Sequence, residues 1–267
     1  MSEPLVRIDN SDGPVAEVWL NRPTKKNALT LELLDELVAA GRMLRDKPGL
    51  RAVVLAGEGG DFSAGLDTTA LMAMAGKLED IKAEMLSPED GEIANRFQLP
   101  AVVWSQVPVP VVAALEGVCF GGGAQLALGA DFRIARPDSR FSIMEGKWGL
   151  IPDMGISQSL PRLLPADQAK ALIMTARILQ GTEAFRLGLV TRLSDDPVSE
   201  ARAFAHALAG RSPEAIRAGK ALVDAIYGSD SAANLRLEAE LQAALIGSPN
   251  MIETVMANVQ KRDPNYS

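Results

Sequence analysis

The chain has 267 residues, which is long enough for one large domain with a substantial hydrophobic core. Hydrophobic residues make up 47% of it and charged residues 23%, an ordinary globular balance that excludes a disordered or low-complexity protein. The formal net charge is −7, and no run of Lys and Arg is longer than two residues, so we expect no nucleic-acid partner.

Two residue types that often build functional sites occur once each, as Cys119 and His206. One cysteine excludes an intrachain disulfide, and the pair provides too few ligands for a structural zinc site, which needs about four. Cys119 is more typical of a small buried hydrophobe than of a nucleophile. Residues 1–5 lack the profile of a signal peptide, and polar residues interrupt the apolar stretch 102–130, so we expect a cytoplasmic protein without a membrane span.

The first part of the chain alternates between strand and helix patterns. Residues 15–20 alternate and end at a proline-containing turn, and residues 51–56 are almost entirely apolar, as in a strand buried on both faces. Between them, Thr30 is a suitable N-cap for a helix over residues 31–45 with one apolar stripe. This order predicts an α/β unit. Residues 67–99, rich in Met, Ala and charge, are predicted to form a mobile helical insert.

A second passage from strand to helix follows the insert. The sequence predicts a strand over 111–115 and a short helix that opens at the triple glycine 121–123, and then strands over 132–135 and 141–143. The rest of the chain is predicted to be almost wholly helical, with segments near 166–175, 182–187, 197–209, 213–227, 231–246 and 249–260. One α/β core with a C-terminal helical region is therefore expected.

Two glycine-containing turns each follow a predicted strand, at residues 62–67 (FSAGLD) and 121–125 (GGGAQ). Small residues at such turns let a substrate approach the backbone, and the unpaired amides of a helix N-terminus favour negative charge. Two turns of this kind facing each other would form an oxyanion hole, although glycine at a tight turn more often has a structural role alone. The chain lacks a P-loop pattern, and it lacks a GxGxxG after its first strand, which disfavours a nicotinamide-binding fold.

Several motifs resemble, in order and spacing, those of the enoyl-CoA hydratase/isomerase (crotonase) superfamily. They are LNRP (20–23), NAL (27–29), VVLAG (53–57), SAGLD (63–67), GGG (121–123), ADFRIA (130–135), GLIP (149–152) and KRDP (261–264). The resemblance covers nearly the whole chain. It implies an α/β fold with a spiral core of repeated ββα units over residues 1–197 and a C-terminal helical trimerisation region over residues 198–267.

The resemblance also implies a chemistry, in which an acyl-CoA thioester is the substrate and two backbone amides stabilise its enolate. It places these amides at Ala64 and Gly122. We expect a homotrimer or a dimer of trimers, and no metal or redox cofactor, because coenzyme A is part of the substrate. The residues expected to contact coenzyme A are Arg22, Lys25, Lys26, Ala28, Ala64, Gly65, Leu66 and Asp67. A solvated basic turn is the competing interpretation of the three cations.

The two catalytic carboxylates of the hydratases correspond to two positions of this chain. The first is replaced by Gln125, whose amide has no titrating proton but can orient a water or a carboxylate. The second is retained as Glu145. Asp153 follows eight residues later, a spacing similar to that of the dienoyl-CoA isomerases, which carry a further aspartate at the position of Gln125. A turn acid after Pro152 is the competing interpretation of Asp153.

Three functions remain open from the sequence. We favour an isomerase that shifts the double bond of an enoyl- or dienoyl-CoA with Glu145, together with Asp153, because only one of the two hydratase glutamates is present. The alternative within the class is a hydratase that adds water to a 2-enoyl-CoA with Glu145 and Gln125. The alternative from another class is a non-catalytic acyl-CoA-binding protein, which Gln125 favours and the two carboxylates oppose.

Overall fold

Strands and helices alternate along the chain, as predicted. The computed structural model describes residues 3–9, 13–227 and 231–262. Within them the strands are β1 (Val6–Asp9), β2 (Val15–Leu20), β3 (Ala52–Gly57), β4 (Val111–Leu115), β5 (Val118–Phe120), β6 (Phe132–Ala135), β7 (Arg140–Ser142), β8 (Leu179–Gln180) and β9 (Arg192–Leu193). The helices are α1 (Leu31–Arg45), α2 (Thr68–Met74), α3 (Leu78–Leu86), α4 (Leu99–Gln106), α5 (Gly122–Leu128), α6 (Ile156–Ser159), α7 (Ala166–Thr175), α8 (Gly181–Leu187), α9 (Pro197–Ala209), α10 (Pro213–Tyr227), α11 (Ser231–Leu245) and α12 (Pro249–Gln260).

The larger sheet has the strand order β1-β2-β3-β4-β6-β9, in which β1 is antiparallel to β2 and the other neighbours are parallel. Both of its faces are covered, which explains the almost continuous apolar sequences of its strands. In β3, Val53 and Leu55 belong to the main core together with residues of α1 and α4. Ala52, Val54 and Ala56 alternate with them and pack with residues of α9 on the opposite face.

Successive strands divide between the larger sheet and a second sheet of order β5-β7-β8. β4 and β6 lie in the larger sheet, and the strands that follow them, β5 and β7, pair with each other in the second sheet. After β3, which lies in the larger sheet, Ser63 forms an isolated parallel bridge with Cys119 of β5. The segment after β3 therefore joins the second sheet in the same way as β5 and β7 do. This arrangement confirms the predicted spiral of ββα units, and it places the turn after β3 beside the turn after β5.

Helix α4 was not predicted, because residues 99–106 are apolar almost throughout and show no helical period. The helix contacts both α1 and α5, so it is buried on more than one side and has no polar stripe. β1 was missed as well, and β8 and β9 correct the prediction of an almost wholly helical chain after residue 165. Each of these two strands has only two residues, too few to leave an alternating pattern.

The helices that the sequence predicts in the first half of the chain are present. Thr30 caps α1, since its Oγ1 accepts a hydrogen bond from the amide of Leu33 at 3.3 Å. The insert over residues 67–99 contains α2 and α3, which confirms its helical character. No helix among the described residues is long and apolar enough to cross a membrane.

The C-terminal helices α9 to α12 occupy nearly the predicted ranges. α9 begins at the predicted border between residues 1–197 and 198–267, and its buried Ala201 and Ala205 pack on the larger sheet. That border and the trimeric assembly remain predictions. Within the two predicted regions, residues 1–2, 10–12, 228–230 and 263–267, including the end of the KRDP motif, lie outside the described residues.

The crossing of α1 and α4 provides a test of the core. A Cβ atom added at Gly41 would lie 2.6 Å from both γ carbons of Val103. We therefore expect Gly41→Val to lower the free energy of unfolding by about 1–3 kcal/mol, measured by urea titration, because overpacking displaces the neighbouring side chains.

Gly219 in α10 is the matched control, since a Cβ atom there meets nothing within 4 Å. Gly219→Ala should leave the stability unchanged or raise it by up to about 1 kcal/mol, the difference in helix propensity. A Gly41→Val protein as stable as the unmodified chain would contradict the close packing of α1 on α4.

Candidate active site

The two glycine-containing turns lie side by side. The amide of Ser63 donates to Val118 O at 3.0 Å, and the amide of Phe120 donates back to Ser63 O at 2.9 Å. Gly65 has φ +86°, and a Cβ atom there would lie 2.7 Å from Phe120 O. Gly121 also has positive φ, at +52°. Glycine is therefore required at both positions, and the two backbones lie too close together at Gly65 to admit a side chain between them.

Only some of the amides at these turns are available to a ligand. The amide of Ala64 donates to Lys26 O at 2.8 Å, so the prediction that it forms half of the oxyanion hole is wrong. The amide of Leu66 has no acceptor within the described residues, and neither has the amide of Gly122, the first residue of α5. Both residues adjoin Leu29: Leu66 forms an isolated bridge with it, and a Cβ atom at Gly122 would lie 3.0 Å from its side chain.

The sequence alone could not distinguish Ala64 from Leu66. In an extended segment, amides two residues apart point to the same side. Gly65 has a left-handed φ, so the chain turns between them and the two amides diverge. The motif therefore indicated a turn with an available amide, but not the residue that carries this amide.

Glu145 lies against this pair of turns. It begins a short 3-10 turn that follows β7, and a Cβ atom added at Gly121 would lie 3.4 Å from its Oε1. Gln125, which is 2% exposed, donates from Nε2 to Glu145 Oε1 at 2.7 Å. The Oε1 of Gln125 accepts a hydrogen bond from the amide of Met154 at 2.8 Å. These contacts fix the orientation of the Gln125 amide, and through it that of the Glu145 carboxylate.

The two carboxylate oxygens of Glu145 differ in their hydrogen bonding. Oε2 is buried and has no hydrogen-bond partner within the described residues. Burial raises the pKa of Glu145 to about 7, although hydrogen bonds from backbone amides and from Gln125 act in the opposite direction. A carboxyl group with such a pKa can exchange a proton near neutral pH.

Asp153 lies next to this network, between Pro152 and the residue whose amide binds Gln125. Its side chain is half-buried. The structure thus brings Gln125, Glu145 and the loop of Asp153 together, as the resemblance implied. Met154 was not singled out from the sequence, because its contribution is a backbone amide that any residue provides. The role of Asp153 as a second acid remains a prediction.

The predicted coenzyme A residues fall into two groups. Arg22 forms an ion pair with Asp67 at 3.0 Å and also donates to Ala28 O, so it links the basic turn to the glycine-containing turn at residues 62–67. Hydrogen bonds from Thr69 lower the pKa of Asp67, and Arg22 lowers it further.

The other group remains at the surface. Lys26 pairs with Asp61 at 3.2 Å and is largely exposed, and Lys25 is exposed beside it. Asn27, at the end of this turn, was not predicted as a functional residue. It is fully buried at φ +52°, and its side chain bonds to backbone groups of Arg22, Glu58 and Asp61. Among the described residues, no cluster of three or more His, Cys, Asp or Glu side chains is arranged to bind a metal ion.

Burial of Glu145 makes stability depend on pH. Its pKa rises from an ordinary value of 4.5 to about 7 on folding, so between these values the folded protein binds more protons than the unfolded chain. Stability should therefore fall as the pH rises through this window. We expect Glu145→Gln to raise the free energy of unfolding by up to about 3 kcal/mol at pH 8, with the gain vanishing at pH 4.

Urea titrations at the two pH values measure this difference, with Glu3→Gln at an exposed position as the control. The same stability change for Glu145→Gln at both pH values would show that the Glu145 carboxyl group is not buried as described.

Known proteins share both sequence and fold with this chain. The sequence profile described as Enoyl-CoA hydratase/isomerase matches residues 10–267. Enoyl-CoA hydratase domain-containing protein 2, mitochondrial, of Homo sapiens is 32% identical over 99% of this chain and 90% of that protein. Delta(3,5)-Delta(2,4)-dienoyl-CoA isomerase, mitochondrial, of Mus musculus is 29% identical over 97% and 80%. A solved enoyl-CoA hydratase/isomerase from Pseudoalteromonas atlantica T6c superposes with a TM-score of 0.84 at 27% identity, over 98% and 100% of the two chains. The chain belongs to the enoyl-CoA hydratase/isomerase family.

Proposed function

We propose that the protein is an enoyl-CoA isomerase, which moves the double bond of an enoyl- or dienoyl-CoA thioester. One observation carries the proposal: Glu145 lies against the turn at Gly121, its Oε2 is buried without a partner in the described part of the chain, and its carboxyl pKa is about 7. Such a group can both accept and return a proton. We expect the reaction to need no metal or redox cofactor, because removal and return of one proton leaves the oxidation state of the substrate unchanged; coenzyme A is part of that substrate.

The amides of Leu66 and Gly122 hold the thioester oxygen in this proposal. Negative charge develops on that oxygen when a proton leaves the adjacent carbon, and a donor placed at the charge contributes about 3 kcal/mol. Both amides are available, and Gly122 also lies at the N-terminus of α5. Leu66 takes the position that the sequence assigned to Ala64.

Gln125 makes the two oxygens of Glu145 inequivalent. Oε1 accepts its hydrogen bond, whereas Oε2 remains for the substrate. In a 3-enoyl thioester, Oε2 removes a proton from carbon 2, and the electron pair of the C–H bond forms an enolate on the thioester. Returning that proton to carbon 4 leaves the double bond between carbons 2 and 3. Gln125 has no proton to exchange, so it positions the base and does not take part in the transfer.

Asp153 extends the proposal to dienoyl substrates. Two acids near one acyl chain can serve as base and acid when their surroundings separate their pKa values. The support is the position of Asp153 directly before Met154 and the 29% identity with a dienoyl-CoA isomerase.

The basic turn is assigned to the phosphate groups of coenzyme A. Arg22 is mostly buried in its pair with Asp67, whereas Lys25 is exposed and Lys26 remains largely exposed in its pair with Asp61, so the two lysines are the cations accessible to these groups. Their interaction with phosphate should weaken with salt, since both side chains are solvated.

A hydratase is the second candidate, and the hydratase name of the human relative favours it. Water addition needs one group to activate water and one to return a proton. Gln125 uses its carbonyl oxygen for Met154 and one amide hydrogen for Glu145, which leaves it a single hydrogen to orient a water. The available groups therefore favour isomerisation.

The first test compares the unmodified protein with Glu145→Gln on 2-enoyl, 3-enoyl and 3,5-dienoyl thioesters. We expect turnover of the 3-enoyl or dienoyl substrate to fall by about 10²–10⁴, the contribution of a positioned base, with thioester binding little changed. In the unmodified protein, turnover should rise as the pH increases through about 7, because the base must be ionised.

Asp153→Asn should lower turnover of the 3,5-dienoyl thioester more than turnover of the 3-enoyl thioester. Binding of every thioester without turnover of any would favour the non-catalytic acyl-CoA-binding alternative. Normal turnover by Glu145→Gln would refute the assignment of the base.

The second test introduces the missing carboxylate. Gln125→Glu places two acids at hydrogen-bonding distance, so they share a proton and titrate as a pair. Hydration of a 2-enoyl thioester should rise relative to isomerisation. Gln125→Met is the control, because it removes the hydrogen bond without adding a titrating group. If the unmodified protein hydrates efficiently and Gln125→Glu does not increase hydration, the hydratase is the better assignment.

A further inference from the structure

An open cleft of about 660 Å³ lies between α4, the C-terminal end of α5, residues 155–163 and α10. This volume is within the range of small-molecule sites, about 300–1,000 Å³. Gly122, Gln125 and Glu145 do not line the cleft, so it is separate from the candidate active site. Gly155 does line it, directly after the residue whose amide binds Gln125.

The wall of the cleft is mostly apolar, and most of its charges are neutralised. The apolar side chains include Val102, Leu128, Phe132, Leu163 and Ile216. Two ion pairs lie in the wall: Lys220 with Asp131 at 2.7 Å, and Arg162 with Asp224 at 3.0 Å.

Arg133 also lines the cleft and differs from these charges. It is 4% exposed and forms no ion pair with a carboxylate of the described residues. Its Nε donates to Leu189 O at 2.7 Å and its Nη1 to Ala130 O at 2.6 Å, whereas Nη2 has no acceptor in the described part of the chain. Burial lowers the pKa of Arg133 to about 10, which leaves it protonated at neutral pH. Backbone carbonyls stabilise this cation, and Asp131 acts on it only through space, because the Asp131 carboxylate is paired with Lys220.

We propose that the cleft binds an aliphatic carboxylate, with the carboxylate on Arg133 Nη2 and the hydrocarbon chain along the apolar wall. One unpaired cation matches one negative charge, whereas a phosphate dianion would remain partly uncompensated. A guanidinium in an apolar, partly dehydrated site binds a carboxylate more strongly than one in water.

Such a carboxylate has two sources. It is either a free fatty carboxylate or the distal carboxylate of an acyl chain whose thioester lies in the candidate active site. The second source rests on the proposed function, and on Gly155, which lines the cleft and directly follows Met154 in the chain. The first source is independent of turnover.

The test is calorimetric titration of the full-length protein with decanoate, with 1-decanol as the uncharged probe. Decanoate should bind and decanol should bind at least tenfold more weakly. Arg133→Met should weaken decanoate binding by about tenfold to a hundredfold, the contribution of a charged hydrogen bond, and leave decanol unaffected.

Two variants of Gly219 test the site independently of whether the Arg133→Met protein folds. Gly219 lies on the α10 side of the cleft in open space, so Gly219→Ala should not change decanoate binding, whereas Gly219→Trp should abolish it by filling the cleft. Equal binding of decanoate and decanol, decanoate binding that survives Gly219→Trp, or no binding would overturn the proposal. A further result would also overturn the proposal: the unmodified protein does not bind decanoate, and Gly219→Trp changes the oligomeric mass. Another copy of the chain would then be the occupant of the cleft.

Two thioesters of equal length distinguish the sources, one of them with a carboxylate at the far end. If Gly219→Trp lowers kcat/KM for the dicarboxylic thioester alone, the acyl chain supplies the carboxylate. If the unmodified protein binds decanoate and Gly219→Trp changes kcat/KM equally for the two thioesters, the free carboxylate is the ligand. If the unmodified protein binds decanoate but turns over neither thioester, the result would count against the proposed function and not against this site.

Discussion

The hydrogen-bonded series from the Met154 amide through Gln125 to Glu145 is the contact on which the candidate site depends. It joins α5 to the loop after β7 and orients a buried carboxylate. An amide at position 125 satisfies one oxygen of Glu145 without adding a second negative charge. Burial therefore sets the pKa of Glu145 near 7, and no second carboxyl group at that position shares its proton.

The sheets supply the place where this contact forms. Because β3 and β4 are parallel and the bridge at Ser63 joins the following segments, both glycine-containing turns reach the same region. Gly65 and Gly121 let these turns approach without a side chain between them. The turn at Gly121 then lies against Glu145, which follows β7 of the second sheet, so three segments that are distant in sequence meet in one place.

Much of the fold follows from local patterns. The apolar strands near residues 52–57 and 111–115, the Thr30 cap and the C-terminal helices were predicted because periodicity and capping act within a few residues. α4 was not, since a helix buried between two others loses its polar stripe. β8 and β9 are too short to show a pattern, and pairing with an existing sheet edge defines them.

The sequence by itself determined the residue types of the site: the glycine turns, Gln125 in place of a carboxylate, and the retained Glu145. Tertiary structure decided how they are used. The amide of Ala64 is engaged because Lys26 O, from a different segment, lies within 2.8 Å, and the amide of Leu66 is available instead. The raised pKa of Glu145 likewise depends on what surrounds it. Hydrogen-bond partners and burial are properties of segments brought together by folding, and no local spacing encodes them.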